Sequence, residues 1–282
     1  MAAPLGSTLV PKIWEAAELL AAAQAVEPGQ RFTTDGHQFT RLGAWSGKLM
    51  VTDSADCRRD LRREEEYAFW AWAAVNVLRL TGVRIEELME LTHHSPIQYR
   101  LPTTGEIVPL LQIAPSKTDA ERLLVVSPEL ADVLSAMIIR VRDDTGTVPR
   151  VPAYDWRECV WRPPAPALFQ RRFGTDNRAI SHGTIRKMIQ AALTNTGLTD
   201  PADGRPLNCT PHDFRRLFIT DAILHGLPPH IAQIIAGHRD INVTMGYKAI
   251  YPEEAIQAHL AFLARRRNLR PSDEYRVPTD EE

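Results

Sequence analysis

The sequence predicts a mainly α-helical fold with one small antiparallel β-sheet, an α+β arrangement. Three observations predict it. Apolar residues recur with a helical period over long stretches, most clearly Phe69, Trp70, Ala73, Val77 and Leu80. Cap signals open other stretches, at Ser127-Pro128, Ser181 and Thr210-Pro211. Ile97 to Val126 breaks the pattern with a strand signal. There Pro102, Pro109 and Pro115 exclude a long helix, and two β-prone runs flank a polar turn.

The chain has 282 residues, enough for one large domain or two small ones with a substantial core. The net charge of -2 is not that of a general DNA-coating protein, so any basic surface must be local. No apolar run is long enough for a bilayer, and the N-terminus lacks the pattern of a signal peptide. Cys57, Cys159 and Cys209 lie far apart without metal-ligand spacing. Reduced thiols and a cytoplasmic location are therefore expected.

Taken in order, residues 1–45 form an N-terminal segment with weak patterning. Pro11 to Ala25 suits a helix with Trp14, Leu19 and Leu20 on its apolar side. Gly29 to Trp45 suits irregular chain or short strands, with a turn at Thr34-Asp35-Gly36. Arg62 to Arg79 is a helix, favoured at its start by Glu64, Glu65 and Glu66 and broken by Gly82. A second helix opens at Arg84 and runs to Leu91. Ile107 to Ile113 and Leu123 to Val126 are strands, and the turn between them carries Lys117. Ser127 caps the next helix. Asp143 to Gly174 reads as a connector rich in proline and arginine. Ser181 caps a helix to about Asn195, with Ile185, Met188, Ile189 and Leu193 on one face. Pro252 to Arg266 is a final helix with an apolar stripe of Ile256, Leu260 and Leu263. Residues 271–282 are polar and acidic, with disorder expected.

The most informative stretch runs from Thr210 to Tyr247. Thr210, Pro211 and Asp213 make a capped helix start, and His212 and Arg215 then share a helical face. A short helix from Pro229 to Ala236 stops at Gly237, a left-handed C-terminal signal. His238 follows, and Tyr247 comes later in the chain. Upstream, Arg84 and Glu87 lie in the run TGVRIEELMEL.

These residues permit attack on a phosphodiester. Two guanidiniums, Arg84 and Arg215, can grip non-bridging oxygens and stabilise charge that builds in the transition state. His212 and His238 can add donors. A tyrosine has a pKa near 10, so Tyr247 needs a base or nearby positive charge, and His212 is a candidate base. Lys117 can protonate the leaving alkoxide. The product is a covalent phosphotyrosine that conserves the bond for rejoining. This chemistry calls for no metal and no other cofactor.

The constellation resembles the tyrosine recombinases, or phage-type integrases. His212, Arg215, Gly237-His238 and Tyr247 match the C-terminal signature, and TGVRIEELMEL resembles the first arginine box. Arg216 stands where the family often has histidine. The resemblance covers about residues 62 to 266. It implies a catalytic domain over residues 46–270, with Arg84, Lys117, His212, Arg215, His238 and Tyr247 catalytic and Glu87 supporting. It places Lys117 on a β-hairpin turn. It implies double-stranded DNA as partner and a homo-tetramer on that DNA. Residues 252–266 then dock on a neighbouring protomer, although the same stripe can equally pack on its own domain. Family members usually carry a DNA-clamping domain before the catalytic one, and residues 1–45 are too short for it. Between Trp156 and Lys187 the cations outnumber the acids. Arg171, Arg172, Arg178, Arg186 and Lys187 are the candidates for DNA backbone contact, with Arg157 and Arg162 nearby. The expected function is site-specific recombination through a 3′-phosphotyrosine. A type IB topoisomerase-like relaxation activity, an inactive DNA-binding remnant and an accidental match are the alternatives.

Overall fold

A single central helix, α2 (Leu61–Thr81), meets most of the other helices. The structure, a computed structural model, describes residues 2–45, 47–114, 121–155, 158–200, 204–237 and 252–268. The Asp60 carboxylate accepts the Arg63 N–H at the start of α2, and Gly82 ends it with φ 64°. From Phe69 to Thr81 almost every side chain is buried, whichever way it points. A helix apolar on all sides belongs in a core, so this one is enclosed instead of amphipathic. Gly82 also explains a close approach. A Cβ there would overlap the ring of Phe218, so the turn after α2 lies directly on the later helix that carries Phe218.

Before α2, α1 (Ala2–Gln24) packs beside a four-stranded antiparallel meander. Its strands are β1 (Arg31–Thr34), β2 (His37–Trp45), β3 (Lys48–Thr52) and β4 (Arg58–Asp60). Asp35 (φ 49°) and Gly36 (φ 75°) turn β1 into β2, as a two-residue hairpin with both central φ angles positive requires. Leu19, Ala23, Phe39, Leu49, Val51 and Leu61 form a separate small core here. The expected boundary between residues 45 and 46 falls inside the β2–β3 hairpin, where Trp45 pairs with Lys48. Residues 1–45 are therefore not a self-contained segment. Trp14 departs from expectation too: it is 63% exposed, while Leu19 is buried.

After Gly82, α3 (Ile85–Glu90) is short. Arg84 is its N-cap in extended conformation, not its first helical residue. Strands β5 (Pro96–Arg100), β6 (Ile107–Ile113) and β7 (Arg122–Val125) form the expected antiparallel sheet, with one more strand than the sequence indicated. Then α4 (Pro128–Val141) starts at Ser127, whose Oγ accepts the Leu130 N–H at 3.3 Å.

The stretch read as a connector contains the hairpin of β8 (Val151–Asp155) with β9 (Val160–Ala165) and the first strand of a second, β10 (Gln170–Phe173) with β11 (Asp176–Ala179). Their strands are short, and β9 is exposed along nearly its whole length. No alternation of apolar and polar residues marks such a strand, so periodicity cannot find it. The prediction of one small sheet in a mainly helical fold is corrected accordingly. The described fold is 45% helix and 26% strand in several small sheets, a mixed α+β protein.

Four helices complete it: α5 (His182–Asn195), α6 (Pro211–Leu224), α7 (Pro229–Ala236) and α8 (Pro252–Asn268). Ser181 caps α5, and its four predicted apolar residues are all buried. No helix among the described residues is long and apolar enough to cross a membrane.

Helix α8 packs on its own domain. Ile256 and Phe262 are buried, and Leu260 and Leu263 are half-buried. Here the stripe packs on its own domain, one of the two roles the sequence allowed it. Between them lies His259, 2% exposed, whose Nδ1 accepts the Val125 N–H at 3.4 Å. Burial pulls its pKa from the ordinary 6.5 down to about 4. The unfolded chain therefore binds a proton between those values that the fold does not, and stability falls as pH falls through that window. A tenfold weaker hold on a proton corresponds to about 1.4 kcal/mol, so the loss at pH 4 is on the order of 3 kcal/mol. We expect His259→Phe to lose less melting temperature than the wild type between pH 7 and pH 4.5. Parallel losses in the two proteins would show that His259 does not titrate in this way.

Candidate active site

Three consecutive carbonyls at the end of α7 each receive a guanidinium. Arg122 Nε donates to Ile235 O at 2.9 Å, Arg215 Nη2 donates to Ala236 O, and Arg84 Nη2 donates to Gly237 O at 3.3 Å. A helix leaves its last carbonyls without intrahelical partners and carries partial negative charge there, so cations collect at such an end. Gly237 closes α7 with φ 67°, as the sequence signal required.

The three arginines come from separate parts of the chain. Arg84 is held by the turn between α2 and α3. Arg122 opens β7. Arg215 lies in the second turn of α6, whose start is fixed by the Asp213 carboxylate accepting the Thr210 N–H at 2.9 Å and the Thr210 hydroxyl at 2.7 Å. Those two hydrogen bonds hold the Asp213 carboxyl below the usual carboxylate range.

One carboxylate serves the cluster. Glu87 is 2% exposed and accepts from Arg122 Nη1 and Nη2 at 2.8 and 2.6 Å. It also accepts the Arg84 N–H at 2.7 Å, and Arg84 Nη1 stands 3.5 Å away. Burial alone would raise its pKa. The hydrogen bonds and charge of Arg122, helped by Arg84, outweigh this and hold it below the ordinary value. Arg215 is 3% exposed, and its Nη1 also donates to Gly82 O at 2.6 Å. Burial first, then the charge of Arg84, lowers its pKa to about 10; Glu87 opposes the fall and Arg122 adds to it. Among the described residues, three guanidiniums against one carboxylate leave the cluster two positive charges in excess.

The structure thus brings Arg84, Glu87 and Arg215 together. His212 is exposed at the first turn of α6, one turn before Arg215. Lys117, His238 and Tyr247, and with them Arg157, Tyr251 and residues 271–282, lie outside the described residues. Arg122 was missed as a site residue. Its one sequence signal is that it sits two before the buried Leu124 on a strand, so it points inward like an apolar residue.

The candidate DNA-contacting cations divide into two groups. Arg171 is half-buried, with Nη1 3.0 Å from Glu66 of α2. Arg162 is likewise held by Asp155 and Glu90, each at 2.5 Å. In contrast Arg172, Arg178, Arg186 and Lys187 are exposed. Arg172 Nε donates to Gly174 O at 3.3 Å, and the Arg178 guanidinium lies 5.0 Å from the centre of the Phe173 ring. All four belong to the β10–β11 hairpin and to α5, which follows it directly.

Residues 58–254 match the phage integrase family, well over half of the chain. Solved structures with similar chains include a XerA recombinase, 19% identical with a TM-score of 0.39, covering 73% of this chain and 61% of that one. A Tn1549 transposon integrase in complex with transposon right end DNA is 20% identical with a TM-score of 0.43, covering 71% and 60%. The same integrase with a circular intermediate DNA is 19% identical with a TM-score of 0.40, covering 71% and 64%. The chain thus spans less than two thirds of the length of each. No curated protein matches.

Proposed function

This chain belongs to the phage integrase family, and we propose that it is a site-specific recombinase that cuts and rejoins double-stranded DNA through Tyr247. The observation that carries this reading is the guanidinium cluster at the end of α7, two charges in excess and adjoining His238 in the chain. A phosphodiester carries one negative charge, and its five-coordinate transition state carries two. A fixed double positive charge complements the transition state better than the ground state, and that difference lowers the barrier.

In the step proposed, the Tyr247 oxygen bonds to phosphorus as the bond from phosphorus to the 5′-oxygen breaks. The phenolic proton passes to a base, with His212 the candidate, and Lys117 gives a proton to the departing 5′-oxygen. The 3′-phosphate remains on Tyr247. A 5′-hydroxyl from another strand then reverses the reaction and releases the enzyme. No protein group is consumed, and the residues named require no cofactor. Arg172, Arg178, Arg186 and Lys187 contact the DNA backbone in this reading. Arg171 chiefly braces the β10–β11 hairpin against α2. A homo-tetramer on DNA belongs to the same reading, with residues 252–266 as a candidate contact between protomers.

The test is a nicked duplex carrying the junction sequence found at the ends of the DNA that flanks the gene. A covalent adduct should form and map to Tyr247, not Tyr251, and Tyr247→Phe should abolish it. An adduct on Tyr251, or one that survives Tyr247→Phe, would sink the assignment. Relaxation of supercoiled plasmid without strand exchange between two duplexes would favour a topoisomerase-like activity.

A further inference from the structure

The reaction as proposed gives no role to Arg122, yet this side chain joins the Glu87 carboxylate to the end of α7. It is 8% exposed at the start of β7. Both terminal nitrogens are engaged with Glu87, and Nε is engaged with Ile235 O. Its guanidinium lies so close to Gly237 that a Cβ there would stand 2.7 Å from Nη1 and 2.9 Å from Cζ. Glu87 in turn fixes the Arg84 backbone.

We infer that Arg122 is a positioning residue for strand cleavage, one that locks the Gly237 turn to the Arg84 turn. The inference rests on the recombinase reading above. Its physical basis is the shape of the group. A planar fork can satisfy a buried carboxylate with two nitrogens while the third reaches a helix-end carbonyl, and a lysine cannot do both. Because its nitrogens face Glu87 and α7, Arg122 acts on the phosphate only through Arg84 and the α7 turn. Gly237 is part of the same device: any side chain there would push the guanidinium off Glu87.

Four full-length proteins test this on the nicked junction duplex: wild type, Glu87→Gln, Arg122→Met and the double variant. Single-turnover cleavage, duplex affinity and melting temperature are measured for each. Arg122→Met should melt lower, because it leaves the Glu87 carboxylate buried without its cation. The double variant should regain most of that loss, since its glutamine is neutral. Cleavage should behave differently. Displacing reacting groups by about 1 Å costs ~10²-fold in rate, so Arg122→Met should cleave ~10²-fold more slowly with duplex affinity unchanged. The double variant, although stable, should remain well below Glu87→Gln alone, because α7 is still unheld. Equal rates for the double variant and Glu87→Gln would overturn the inference, since Arg122 would then do no more than neutralise Glu87. Affinity falling in step with rate would overturn it as well, making Arg122 a DNA ligand. A wild type that forms no Tyr247 adduct is a distinct result: it removes the recombinase reading itself, and this role with it.

Discussion

Arg215→Lys should cleave a nicked junction duplex roughly 10²–10³-fold more slowly than wild type, the usual cost of one lost transition-state donor. The expectation comes from what the guanidinium holds. Its two terminal nitrogens reach Gly82 O and Ala236 O, carbonyls on opposite sides of the site. A lysine ammonium can stay with one of them and abandon the other, or leave both for the phosphate. Either choice loses the fixed fork. Arg84→Lys should lose a comparable factor, since it removes a planar donor pair from the same anion. The two should differ in stability. Arg84 has 31% of its side chain exposed, so its replacement should leave the melting temperature nearly unchanged. Arg215 is enclosed, and its replacement should lower it. Single-turnover rates alongside melting curves check both. Near wild-type cleavage by either folded variant would show that it does not grip the phosphate.

Lys117→Ala should cripple cleavage of ordinary DNA while sparing binding, and a sulfur-bridged substrate should restore it. An alkoxide leaves badly without a proton. A thiol has a pKa near 8.5, so a thiolate leaves with little help from an acid. If Lys117 delivers that proton, replacing the bridging 5′-oxygen by sulfur removes the need for it. Arg84→Ala should gain no such relief. Lys117 itself is outside the described residues, but the strands that flank it are not. Ile113 pairs with Arg122, and Arg122 is bound to Glu87 and α7. The hairpin connection therefore springs from beside the guanidinium cluster, five residues before Arg122. At about 3.3–3.6 Å per residue, that length can bring Lys117 to a phosphate held there. Equal defects on the oxygen and sulfur substrates would show that Lys117 positions DNA and that another group supplies the proton.

What the sequence disclosed was local in origin. Ser127, Ser181, Gly82 and Gly237 announce helix ends through interactions within a few residues, and each stands where its signal put it. The apolar face of α5 follows from a period of 3.6. Arg84, Glu87 and Arg215 were legible only as a pattern shared with a family, because nothing near Arg215 in the chain says that it will meet Gly82 O. Arg122 carries only the strand-alternation signal, which says that it points inward and not that it belongs to the site. Its partners lie 35 and 113 positions away, and a polar residue among ERLLVV reads as a strand edge. The meander was legible only as irregular chain or short strands with a turn at Asp35-Gly36, and the two late hairpins were not legible, for another reason. Most of these strands are short and half-exposed, and β8 and β9 carry prolines, so neither alternation nor propensity rises above the surrounding chain.

The crowding of like charge around Glu87 has a thermodynamic consequence. A fold that gathers Arg84, Arg122 and Arg215 against one carboxylate opposes both their burial and their mutual repulsion, and the pKa of Arg215, lowered first by burial and then by the charge of Arg84, registers both. An anion bound there relieves the repulsion in the folded chain and finds no such cluster in the unfolded one. By mass action, such a ligand shifts the folding equilibrium by RT ln(1 + [L]/Kd). In the proposed reading, the phosphate backbone of DNA is that ligand, and its binding offsets the repulsion within the cluster. Recognition and folding draw on one free-energy surface, because a ligand that binds only the folded cluster stabilises the fold that builds it.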